Sequence, residues 1–182
     1  ASDVYKRQVG NQGWNDLADF EIGQTVPYRY ESNMPDVNGY NTYYYAWHDV
    51  MSEALTFKKD SVAIRIYESS NARNYYELKE DEFEVKEALG GGDTFQVIVS
   101  DMKKIIDREF NRKNEAGENK YGQKIVLTYQ ATLNEKAAKN TGRLGFENDV
   151  RLEFSNDPDS AVRGSTGYTP VSYTHLTLPT KR

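Results

Sequence analysis

The alternation of apolar and polar residues is the feature that most restricts how this chain can fold. Successive side chains of a β-strand point to opposite faces, so apolar residues at every second position predict strands with one buried face. Shorter candidate strands cover residues 75–78, 83–85 and 94–99. The clearest apolar rows are Val26, Tyr28 and Tyr30; Tyr43, Tyr45 and Trp47; Val62, Ile64 and Ile66; Ile125, Leu127 and Tyr129; and Val150, Leu152 and Phe154.

One stretch follows a helical period instead. Ser100 can cap a helix that places Met102, Ile105, Ile106 and Phe110 on one face. A second helical turn is expected at residues 134–139. Many short strands with one or two short helices in crossing loops predict a mainly β, antiparallel sandwich, not an alternating α/β fold.

Size and charge exclude several classes of protein. A chain of 182 residues suits one domain. Its net charge is −5 and its basic residues are scattered, which argues against nucleic acid or an anionic membrane as a partner. No apolar run is long enough to span a membrane. The absence of cysteine excludes disulfides, so an exported domain of this kind would need another covalent staple.

The two ends differ from the interior in pattern and composition. Residues 1–8 (ASDVYKRQ) and 171–182 (VSYTHLTLPTKR) look like non-native scars, and we expect neither to join the core. The interior then divides into a sandwich domain over residues 9–163 and a segment, 164–170, that is a linker or the start of a last strand.

Alternation places two polar side chains at the ends of inward-facing rows. One further step along the Trp47 row reaches Asp49, and one further step along the Phe154 row reaches Asn156. A buried acid and a buried amide each need a specific partner, because an unsatisfied buried polar group costs about 1–3 kcal/mol. The alternative is a turn role for both, which Asp and Asn residues often have.

Other candidate sites are weaker. His48 falls on the face opposite Trp47, so we expect it to face solvent and not to bind a metal. The tyrosine-rich segment 40–45 fits core packing better than a ligand-stacking surface. Asn156, Asp157 and Asp159 fit a solvated turn better than a calcium loop. No nucleophile triad or phosphate-binding loop is found, so the sequence predicts no turnover enzyme and no cofactor.

Four stretches, in the same order, resemble the isopeptide-forming D2 domain of Gram-positive pilus (fimbrial) backbone subunits. The four cover residues 16–27 (DLADFEIGQTVP), 45–57 (YAWHDVMSEALTF), 124–134 (KIVLTYQATLN) and 148–158 (NDVRLEFSNDP). The resemblance implies a collagen-adhesin-A-like, immunoglobulin-like β-sandwich.

The resemblance also implies a covalent cross-link. In that family a lysine on the first strand joins an asparagine on a late strand, and an aspartate assists. Asp49 matches the assisting acid and Asn156 the asparagine, with Tyr45 and Trp47 supplying dry surroundings. The lysine should lie shortly before Trp14, where Lys6, inside the suspected scar, is a stand-in. Val50 and the pair Glu53 and Ala54 depart from the family pattern near the acid.

The function that the resemblance implies is structural. The chain would be a domain of a secreted, cell-wall-anchored pilus shaft, mechanically stabilised by an autocatalytic Lys-to-Asn isopeptide bond. Its partners would be neighbouring pilin subunits and a sortase. The alternative is a ligand-binding adhesin domain on the same fold, recognising a glycan or a host matrix protein.

Overall fold

A computed structural model describes residues 21–87, 92–139 and 147–173. Within these ranges the chain forms short antiparallel strands and little helix, as the alternation predicts. The strands are β1 (Thr25–Asn33), β2 (Tyr45–Met51), β3 (Leu55–Tyr67), β4 (Tyr75–Glu77), β5 (Glu84–Glu87), β6 (Phe95–Val99), β7 (Lys124–Leu133), β8 (Asn148–Ser155), β9 (Arg163–Ser165), β10 (Thr169–Pro170) and β11 (Ser172–Tyr173).

The described strands form two antiparallel sheets that pack face to face. The first sheet has the order β11-β1-β7-β3-β4, and the second has the order β10-β8-β2-β6-β5 with β9 paired to β8. Trp47, Leu127 and Val150 are fully buried between them. The prediction of an antiparallel sandwich with a single core is confirmed.

One of the predicted inward rows is interrupted by an irregularity. Between Lys58 and Ala63, β3 advances five residues while its partner β7 advances two, from Gln130 to Thr128. The three extra residues switch the inward-facing side chains of β3 from odd-numbered to even-numbered positions. Leu55 before the irregularity and Ile64 after it are therefore both buried. Val62 lies beside the irregularity and is half-buried, whereas the rest of its row is in the core.

Helix α1 (Met102–Glu109) connects β6 toward β7 and buries the face that its periodicity predicts. Its N-cap is Asp101 and not Ser100: the Asp101 carboxylate accepts a hydrogen bond from the backbone N–H of Lys104 at 3.2 Å. The same carboxylate accepts from the backbone N–H of Tyr43 at 3.0 Å, which holds the helix against the chain entering β2. The second helical turn that the sequence predicts is a 3₁₀ helix, Glu135–Lys139, and a further short 3₁₀ helix, which was not predicted, is Glu80–Glu82.

The C-terminal segment crosses from one sheet to the other. β10 pairs with β8, Val171 is 1% exposed, and β11 pairs with β1 through Tyr28 and Arg29. The expectation that residues 171–182 stay outside the fold is therefore wrong for 171–173. An apolar Val171 between two short strands closes the open side of the core, which alternation over so few residues could not indicate.

Val171→Asp should lower the free energy of unfolding by more than about 3 kcal/mol, because a carboxylate would replace an apolar side chain in the core. The matched control is Val162→Asp, since Val162 is 57% exposed and should change stability by less than about 0.5 kcal/mol. Urea unfolding followed by tryptophan fluorescence measures both. Equal stability of the two variants would contradict the burial of Val171 between the two sheets.

Candidate functional site

The most deeply buried polar side chains lie close together between the sheets. Asp49 and Asn148 are both 0% exposed, and Tyr129, which reaches between them, is 1% exposed. The Tyr129 hydroxyl donates a hydrogen bond to Asp49 Oδ2. The Asn148 side-chain amide, through Nδ2, donates to the same hydroxyl oxygen at 2.6 Å. A phenol therefore bridges an acid and an amide in the core.

Strand register explains why these three residues meet. In the second sheet Asp49 pairs with Val150 and Asn148 pairs with Met51, so Asp49 and Asn148 are diagonal neighbours on the inward face. Tyr129 comes from β7 in the opposite sheet. The cluster thus joins three strands and both layers of the sandwich.

Aromatic rings enclose the cluster. Tyr129 stacks on Tyr28 at 5.6 Å between ring centroids, and it forms a T-shaped pair with Phe95 at 5.0 Å between ring centroids. Phe95 in turn stacks on Phe57 at 3.7 Å. Trp47, one inward step before Asp49 on β2, is fully buried. These rings exclude water and lower the local dielectric constant, which strengthens every polar interaction inside.

Three buried polar atoms here have no hydrogen-bond partner within the described part of the chain. They are Asp49 Oδ1, Asn148 Oδ1 and Trp47 Nε1. Burial raises the pKa of Asp49 well above its usual value, although hydrogen bonds from Tyr129 and Asn148 act in the opposite direction. Burial therefore favours the neutral, protonated form of this carboxyl group, which can donate a hydrogen bond.

Asn156 is not part of this cluster. Strand β8 ends at Ser155, and Asn156 turns outward, where it is exposed and its backbone N–H bonds to the Val162 carbonyl at 3.0 Å. It lies about 20 Å from Asp49 along the strands, because Phe154 already pairs with Tyr45. The expectation that Asn156 faces the core beside Asp49 is wrong. The alternative turn role describes it better, since the Asp157 side chain accepts from the Asp159 backbone.

Sequence reasoning missed Asn148 and the role of Tyr129. The signal for Asn148 was present, because one step backward along the Val150 row reaches it. Tyr129 was placed in an inward row, but a row cannot show which residue of the other sheet a side chain meets. Lys6 lies outside the described residues.

His48 lies on the outer face of β2, as alternation predicts, yet it is only 5% exposed. Its Nδ1 is 2.8 Å from an Asp93 carboxylate oxygen, and its Nε2 is 2.9 Å from one of Glu153. Burial alone raises the pKa of Asp93, but hydrogen bonds from His48 and Tyr168 outweigh it and lower that pKa. The expectation that His48 faces solvent is wrong, because these partners from neighbouring segments cover it.

A groove of about 360 Å³ opens at the end of the sandwich near Asn156. Tyr40, Tyr43 and Tyr45 line part of it. Tyr43 and Tyr45 are only 3% and 2% exposed, so they contribute ring edges and pack mainly into the core. The packing interpretation of this tyrosine row is therefore confirmed for these two residues.

In the ranges 21–87, 92–139 and 147–173 no group of three acidic or histidine side chains is arranged to hold a metal ion. The same ranges contain no helix long and apolar enough to cross a membrane.

Comparison with known proteins gives one family match and several similar structures. The model of the family described as Gram-positive pilin backbone subunit 2, Cna-B-like domain, matches residues 22–158. The D312A variant of BcpA, the major pilin subunit of Bacillus cereus, is similar with a TM-score of 0.51 and 17% identity over 84% of this chain. The pilus 2b backbone protein of group B streptococcus gives a TM-score of 0.50 and 16% identity over 81%.

These structural likenesses show the fold. The matched regions cover 35% of the BcpA chain and 52% of the streptococcal chain, so this chain spans about a third to a half of their lengths. A search of curated protein sequences found no match.

Asp49→Asn should change how stability depends on pH. An acid whose pKa is higher in the folded state binds more protons there, so the free energy of unfolding falls as pH rises from the ordinary value of 3.8 through the raised pKa. The variant lacks this loss, so above the raised pKa it should melt at a higher temperature than the parent, by about 2–4 °C per kcal/mol recovered.

Thermal unfolding at a series of pH values above the ordinary pKa of 3.8 measures the effect. Asp60→Asn is the matched control, since Asp60 is exposed on β3. Parallel melting curves for the parent and Asp49→Asn across this range would contradict a buried neutral acid.

Proposed function

The chain belongs to the Gram-positive pilin backbone subunit family, and we propose that its structural role depends on an autocatalytic isopeptide bond between a lysine and Asn148. The observation that carries the proposal is the buried cluster of Asp49, Tyr129 and Asn148. Asp49 keeps the assisting role that the family resemblance gives it, and Asn148 takes the place first given to Asn156.

The cluster has the chemistry that the reaction needs. A lysine amine in the same dry environment would lose its charge, because burial disfavours the charged form and leaves a nucleophile. The protonated Asp49 could donate to the Asn148 carbonyl oxygen, which is the other oxygen without a partner, and polarise its carbon. The lysine nitrogen then bonds to that carbon, the bond to Nδ2 breaks, and ammonia leaves.

The amine belongs to a segment outside the described residues. The resemblance implies a lysine on the first strand, shortly before Trp14, and the chain has only Lys6 upstream of that position. We therefore take Lys6 as the substitute for the family's lysine, which would supply the amine. Residues 9–13 are the positions at which an introduced lysine would restore the family pattern.

A covalent bond would do for this domain what a disulfide does elsewhere. The chain has no cysteine, and a cross-link between distant residues stabilises a fold mainly by restricting the unfolded chain. We propose that the domain serves in a pilus on the bacterial surface, with other pilin subunits as neighbours and a sortase as the assembling and wall-anchoring enzyme.

Intact-mass spectrometry tests the cross-link. We expect one of a series of variants, each with a single lysine at residues 9–13, to lose the mass of one ammonia on folding. A tryptic digest of that variant should contain a branched peptide that joins the new lysine to Asn148. The unmodified chain tests Lys6 in the same way.

Matched alanine variants identify the participating residues. In the linking variant Asn148→Ala should abolish the mass loss, and Asp49→Ala should abolish it or slow it by roughly 10²-fold or more. Asn156→Ala is the control and should link at the parent rate. Loss of linking in Asn156→Ala alone would move the acceptor to Asn156, and a full, unlinked mass in every lysine variant would overturn the proposal.

Ligand binding stays a second candidate function because of the groove near Asn156. Its aromatic edges and amide groups suit a glycan or an extended peptide. A Tyr40→Ala variant should weaken any glycan or matrix-protein binding that the parent shows on an array, without altering its cross-link. A parent that binds nothing on the array would remove this candidate.

A further inference from the structure

The Tyr129 hydroxyl occupies a position that core packing alone does not require. Its ring is packed by Tyr28, Phe57 and Phe95, and a phenylalanine would make the same ring contacts. The hydroxyl instead adds a polar group to a fully buried site, where it bonds to Asp49 and Asn148. Burial raises the pKa of Tyr129 well above its usual value, so the hydroxyl keeps its proton at neutral pH.

Amide exchange at Asn148 needs a proton at one particular atom. The Nδ2 nitrogen is a poor leaving group as an anion and must be protonated to depart as ammonia. In the structure Nδ2 lies 2.6 Å from the Tyr129 oxygen, within reach of a proton transfer. The same oxygen is hydrogen-bonded to Asp49, so a continuous chain of two hydrogen bonds connects the Asp49 carboxyl group, the Tyr129 hydroxyl and the leaving nitrogen of Asn148.

We propose that Tyr129 is a catalytic residue of the cross-linking reaction, which relays a proton from Asp49 to Nδ2 of Asn148; this inference rests on the function proposed above. After the lysine nitrogen bonds to the Asn148 carbon, Tyr129 turns its hydroxyl proton from Asp49 to Nδ2, gives that proton to Nδ2, and takes in exchange the proton of the neutral Asp49 carboxyl group. The Asp49 carboxylate formed in this way then takes the proton that the lysine nitrogen must lose. The carbon–nitrogen bond then breaks and ammonia leaves. Asp49 and Tyr129 end as they began, and one proton has moved from the lysine to the leaving nitrogen.

The first test is Tyr129→Phe in the lysine variant that links. We expect the rate of ammonia loss to fall by roughly 10²-fold, the size of a general-acid contribution. The matched control is Tyr28→Phe, because Tyr28 is equally buried and stacks on the same ring. It should link at close to the parent rate. Circular dichroism and the melting temperature of the unlinked state check that both variants are folded.

A second readout separates proton transfer from mere positioning. Site-specific replacement of Tyr129 by 3,5-difluorotyrosine makes the phenol more acidic and changes its size little. If the hydroxyl transfers a proton, the rate of linking should rise with acidity, as general-acid catalysis requires. A hydroxyl that only orients Asp49 and Asn148 would leave the rate unchanged.

The outcomes distinguish this inference from the proposed function. If the parent links and Tyr129→Phe links equally fast, the relay is wrong and the cross-link stands. If the difluorotyrosine chain links at the parent rate, the relay is also wrong. If no lysine variant loses ammonia, the proposed function fails and the relay fails with it.

Discussion

A carboxyl group with no access to water is the constraint around which this domain is organised. Asp49 can remain in the core only as a neutral acid or with strong donors, and the structure provides a raised pKa and the Tyr129 hydroxyl together. Providing them requires strands from both sheets in fixed register. Aromatic rings enclose the same site and keep it dry.

Register matters here more than it does in an apolar core. A slip of one residue between β2 and β8 would turn Asp49 or Asn148 to the outer face, and the cluster would be lost. Several features hold the strands in place, among them the contacts of His48 with Asp93 and Glu153 on the outer face of β2. The irregularity in β3 likewise keeps Phe57 and Ile64 on the same side of the sheet.

Alternation in the sequence was enough to predict the strands, the single core and a buried Asp49, because these follow from the period of one strand at a time. It could not say where β8 stops facing inward. The row that contains Val150 has a polar residue at each end, and only pairing with β2 shows that Asn148 lies inside and Asn156 outside. The prediction that His48 faces solvent was wrong for a related reason, because the side chains that cover it, Asp93 and Glu153, belong to other segments.

The crossing of the C-terminal segment between sheets affects how the domain would respond to force. β11 runs antiparallel to β1, so the chain enters β1 at Thr25 and leaves β11 beyond Tyr173 at the same end of the ladder. Pulling these two points apart would break the hydrogen bonds of the pair one after another, as in unzipping. Strands that were sheared lengthwise would share the load among all their bonds at once. By itself the β1–β11 pair is therefore mechanically weak. A covalent bond from the first strand to β8 would bear the tension in place of these hydrogen bonds.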